Sequence, residues 1–127
     1  MTAYGDDVCI VRVCRDCCCG TERKHPGVDH DGLLGRLEAG TRGHARVLRS
    51  DCLLACDESN VVVVTPSPAG RRAGGRPVWL RAVLDDAAVD DITRWVRLGG
   101  PGVGPVPETV GQRAFAPSGL ALSWAAV

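Results

Sequence analysis

The chain opens on a β-branched apolar run, Val8-Cys9-Ile10-Val11-Arg12-Val13, the pattern of a buried or half-buried strand that delivers Cys14 at its end. From Cys14 to Val28 neither helical nor alternating periodicity holds, and Gly20, Pro26 and Gly27 punctuate the segment, which predicts a loop. Val28, Leu33, Leu34 and Leu37 then fall near helical spacing, with Asp29 as the expected N-cap and Gly40 as the stop. Gly32 and Gly35 weaken this helix by roughly 1 kcal/mol each relative to Ala, a cost that close packing on a sheet would explain. Ala45-Arg46-Val47-Leu48-Arg49 roughly alternates polar and apolar residues and predicts a second strand, which leads directly to Cys52. If the two strands are parallel neighbours joined by the helix, the right-handed crossover places both cysteine loops, the one from Cys14 and the one with Cys52, at the same edge of the sheet.

Val61-Val62-Val63-Val64-Thr65 carries the strongest strand pattern, followed by a turn-rich stretch from Pro66 to Gly75 and a short partner strand, Pro77-Val78-Trp79-Leu80. These predict a hairpin. Asp85 or Asp86 is expected to cap a helix through Leu98, in which Val89, Ile92 and Val96, with Ala88 and Trp95 on an adjoining row, form the apolar face. Gly99-Gly100-Pro101 ends it. The order strand, helix, strand, hairpin, helix predicts an α/β fold, a small thioredoxin-like layer with a mixed sheet of about four strands and two main helices. Residues 1–100 are assigned to this domain and 101–127 to a Gly- and Pro-containing tail, which ends on the apolar run Leu120 to Trp124 and receives no element.

Composition narrows the partners. Apolar residues make up 45% of the chain and aromatics only 4%, so Val, Leu, Ala and Ile must fill the core. Lys plus Arg and Asp plus Glu balance at 15 each, which argues against a nucleic-acid partner. Arg71, Arg72, Arg76 and Arg81 cluster without interleaved aromatics and are expected on a solvated loop. No apolar run approaches the roughly 20 residues of a membrane span, and the first residues lack the basic and apolar regions of a secretory signal. A cytoplasmic protein is therefore expected, in which clustered thiols are metal ligands or redox groups rather than a disulfide framework.

Six of the seven cysteines lie in two short runs, Cys14-Arg15-Asp16-Cys17-Cys18-Cys19-Gly20 and Cys52-Leu53-Leu54-Ala55-Cys56. Two pairs of thiolates on strand-end loops suit a [2Fe-2S] cluster, which takes two thiolates on each iron. Cys9, inside the first strand, is expected in the core. His25 and His30 are expected at the surface or as capping residues rather than as ligands.

Cys14-x4-Cys19 after a Val-rich strand, then Cys52-x3-Cys56 after a second strand and before Val61 to Val64, resembles the thioredoxin-like [2Fe-2S] ferredoxins, over roughly residues 8 to 100. Val78-Trp79 is similar to the family's late hairpin strand, and the helix begun by Asp85 extends the likeness. Leu54 stands where many members have glycine, and Asn60 near a position where many have proline. The resemblance implies an electron-transfer protein, not an enzyme, whose cluster is held by Cys14, Cys19, Cys52 and Cys56 and which serves a redox partner protein; it also makes a homodimer reasonable. Cys17, Cys18 and Cys19 are consecutive, so spacing alone leaves the upstream partner of Cys14 open; the family interval favours Cys19, then Cys18, then Cys17. Arg15, Arg23 and Lys24 flank this loop as cations able to favour a reduced cluster.

Two other chemistries fit part of the pattern. Cys14, Cys17, Cys52 and Cys56 can supply a tetrahedral zinc site without redox function. Cys14-Arg15-Asp16-Cys17 also has the spacing of a thiol-disulfide oxidoreductase, but no helix pattern follows at once to lower the nucleophile's pKa. No phosphate-cradling glycine motif or nucleophile elbow is present.

Overall fold

The computed structural model describes residues 8–14, 27–50 and 60–116. Its elements follow in the order β1 (Cys9–Cys14), α1 (His30–Gly40), β2 (Ala45–Ser50), β3 (Val62–Thr65), α2 (Pro68–Arg72), β4 (Val78–Leu80), α3 (Asp86–Arg97), α4 (Glu108–Gly111) and β5 (Ala114–Phe115). They form a five-stranded mixed sheet in the order β2-β1-β3-β4-β5. β1 and β2 are parallel, as the helix between them requires. The β1–β3, β3–β4 and β4–β5 pairs are antiparallel. The α/β class matches the sequence expectation, with one strand more than the four anticipated.

The core follows from strand alternation. Cys9, Val11 and Val13 of β1, with Val62 and Val64 of β3 and Leu80 of β4, pack with Leu33, Leu34 and Leu37 of α1 and Val89, Ile92 and Val96 of α3. The alternate residues Cys14, Val61, Val63 and Trp79 form a second buried cluster, joined by Phe115. Trp79 and Phe115 meet edge to face, with ring centroids 6.2 Å apart.

Both long helices start where their caps predict. Asp29 accepts from Gly32 N, and Asp85 accepts from Ala88 N. Gly32 and Gly35 are exposed, and nothing lies within 4 Å of a Cβ built on Gly35. Close packing on the sheet is thus not their explanation; at Gly32 a Cβ would instead meet the capping side chain of Asp29. Arg36 of α1 holds Asp90 of α3 through two hydrogen bonds of 2.7 and 2.9 Å, fixing the helix pair on its exposed side.

The stretch read as turns after Thr65 contains α2, capped by Ser67 with Pro68 at its first turn. Past Pro101 the chain adds Val110 to the core and β5 to the sheet edge. Among the described residues no helix is long and apolar enough to cross a membrane.

Candidate functional site: the strand-end rim

Three strand ends converge on one rim of the sheet. The parallel register puts Cys14 opposite Ser50, so β1 and β2 finish side by side. β3 runs the other way and starts there: Cys14 N donates to Val61 O at 3.2 Å. The chain therefore departs for residues 15–26 and for 51–59 from adjacent positions, and the second segment returns beside the first departure point.

A buried polar pair joins the other chain ends to this rim. His30, the first residue of α1, is 6% exposed, and Asn60 is fully buried. The Asn60 side-chain amide donates to His30 Nδ1 at 2.9 Å. The Asn60 carbonyl also accepts from Val83 N at 3.0 Å, which draws in the chain leaving β4. The expectation of a surface or capping histidine at position 30 is thereby corrected: helix start and strand start are stitched together through it, inside the protein. Asn60 has a role that an apolar residue cannot fill, because that role needs a side-chain donor.

Cys14 is 1% exposed and lies in the second buried cluster with Val61, Val63 and Trp79. Such burial suits a thiolate whose charge a metal neutralises, and suits equally a small apolar residue. On the same face the Trp79 indole N–H is buried with no acceptor among the described residues. A buried donor left unmatched is rare; Trp79 stands level with Val63 and Arg12, one residue pair in from the rim. Cys17, Cys18, Cys19, Cys52 and Cys56 lie outside the described residues, as do Arg15, Arg23, Lys24 and His25. Among the described residues no three His, Cys, Asp or Glu side chains form a metal-binding group.

Cys9 is separate from the rim. It is 2% exposed, its Sγ–H donates to Gly99 O at 3.2 Å, and burial pushes its thiol pKa up. This matches the core position expected from the strand pattern.

No protein-family model, no curated protein and no solved structure matches the chain. The strand-end geometry and the cysteine spacing together carry the functional argument.

The elements of the rim that the sequence did not disclose are His30 and Asn60. A lone asparagine immediately before a run of four valines was the available signal, since a polar side chain at a strand start needs a partner when buried.

Proposed function

We propose that this protein is an electron carrier whose Cys14, Cys19, Cys52 and Cys56 bind one [2Fe-2S] cluster and exchange single electrons with a redox partner protein. The observation that carries the reading is the parallel register of Cys14 with Ser50, because it sends both cysteine-bearing segments out from neighbouring strands. Adjacent strands lie about 4.8 Å apart. Backbone geometry then limits separation: Cys52 is two residues beyond Ser50, a reach of at most about 7 Å. Cys56 is four residues before Asn60, at most about 14 Å, and Cys19 is five beyond Cys14, at most about 18 Å. Four sulfurs tethered to one rim by such short leashes are compatible with a common centre.

When bound, such a cluster accepts or gives up one electron on iron, with no proton or group transferred by the protein. Four thiolates and two sulfides outweigh two ferric ions, so the centre is a dianion that gains a further negative charge on reduction. Arg15, Arg23 and Lys24 are the cations in the upstream segment suited to favour that reduced state.

Purification without oxygen, followed by an absorption spectrum and iron, zinc and acid-labile sulfide analysis, tests the assignment. The expected result is a coloured protein with iron and sulfide in equal amounts. Zinc without sulfide would replace the proposal with a structural four-cysteine site. Single Ser substitutions at Cys17, Cys18 and Cys19 then identify the upstream ligand, with cluster loss expected only for Cys19→Ser.

A further inference from the structure

The face of the sheet that carries Cys14 changes character away from the rim. One pleat in, Arg12 of β1 lies between Leu48 and Val63; one pleat further, Ile10 lies between Arg46 of β2 and Thr65 of β3. Arg12 Nη1 donates to Thr65 Oγ1 at 3.2 Å. Ile10, Arg46, Thr65, Pro66, Pro68 and Arg71, with Val8, line a cleft of about 160 Å³ there. Thr65 is 4% exposed. Its hydroxyl accepts from Arg12 and so keeps its own proton to donate.

The charged residues that line this cleft, among those described, are both arginines. Arg46 and Arg71 are exposed, and neither makes an ion pair with a described residue. Burial, then the charges of Arg46 and Arg71, push the Arg12 pKa down from its ordinary value, which marks a site where positive charge is crowded. Among the described residues no carboxylate lines this cleft. Every Asp and Glu among the described residues belongs to α1, α3, α4 or the cap of α1 or α3. Among the described residues the strands that form this face therefore carry no carboxylate.

We propose that this cleft binds a small polyvalent oxyanion of the phosphate or phosphate monoester class. Arg46 and Arg71 hold it from two sides, the Thr65 hydroxyl donates to it, and Arg12 orders that hydroxyl from behind. Guanidinium groups match the planar spacing of oxyanion lone pairs, and two of them balance a dianion. Ile10 and Pro68 give an apolar floor on which the organic part of an ester would rest. The site lies two pleats from Cys14 and does not depend on the cluster assignment.

The full chain is titrated calorimetrically with inorganic phosphate and with phenyl phosphate, at ionic strength held constant with sodium chloride. One saturable site per chain is expected. Arg46→Gln and Arg71→Gln are each expected to weaken binding about tenfold or more, the loss of a charge-assisted hydrogen bond. Thr65→Val, which leaves the net charge unchanged, is expected to weaken it about fivefold. Arg97→Gln, on the helix side, should leave it unchanged, and circular dichroism checks that each variant is folded. Tighter binding of phenyl phosphate assigns the site to an ester, and equal binding assigns it to the free ion. Absence of saturation, equal weakening by Arg97→Gln, or full retention in Thr65→Val overturns the proposal.

Discussion

Replacing Asn60 by Ala removes the donor facing His30 Nδ1 in a place where water does not compensate. Leaving a desolvated polar nitrogen without that hydrogen bond costs about 1–3 kcal/mol. Asn60 is fully buried, so truncating it also opens a small void worth about 1 kcal/mol. The expected destabilisation is thus about 2–4 kcal/mol, which at about 4 °C per kcal/mol for a chain of this size lowers Tm by about 8–16 °C. Urea unfolding of Asn60→Ala, His30→Ala and the double variant gives the check as a thermodynamic cycle. Because the two side chains share one hydrogen bond, the singles should sum to about 1 kcal/mol more than the double. Additivity within about 0.5 kcal/mol would refute the claim that this pair stitches the helix start to the strand start.

Further outcomes follow from the same packing. Gly100 has φ of +71°, and a Cβ there would lie 2.5 Å from Cys9 Sγ; Gly100→Ala should cost at least about 1–2 kcal/mol for the left-handed backbone alone. Adding Cys9→Ala should recover the remainder in denaturation. Trp79→Phe deletes a buried N–H that has no acceptor among the described residues, so it should cost about 1 kcal/mol or less, against about 3–5 kcal/mol for Trp79→Ala. The hydrogen bonds from Arg36 hold the Asp90 carboxyl pKa below its ordinary value. A carboxylate whose pKa is lowered by folding adds stability that is present above its unfolded pKa, about 3.9, and disappears as pH falls through the folded value. NMR titration should show the Asp90 midpoint rising toward the ordinary value in Arg36→Gln.

Periodicity revealed the elements it could reach. α3 was legible from its acidic start, where the structure settles the cap on Asp85 rather than Asp86, to its end beside Leu98, because Ala88, Val89, Ile92, Trp95 and Val96 keep helical spacing over three turns and all five are buried. β1 and β2 were legible as strands, and their parallel pairing followed from the helix between them. α2 was hidden because Pro68-Ala69-Gly70-Arg71-Arg72 is too short to show an apolar period and carries a turn-like composition. β5 was hidden for a different reason: a two-residue strand has no alternation to detect, and only its pairing with β4 and the Trp79–Phe115 contact define it. At the rim, sequence order was enough to bring the ends of β1 and β2, at Cys14 and Ser50, to one edge. It put His30 at the surface or in a cap and gave Asn60 no partner, since their bond spans 30 positions and depends on burial that neither residue type announces.

Electron paramagnetic resonance of the dithionite-reduced protein, purified without oxygen, is the most direct test of the electron-carrier assignment. The account predicts a spin-half signal integrating to one electron per chain, abolished in Cys52→Ser and Cys56→Ser. A diamagnetic protein containing zinc, or a signal untouched by these substitutions, would contradict it.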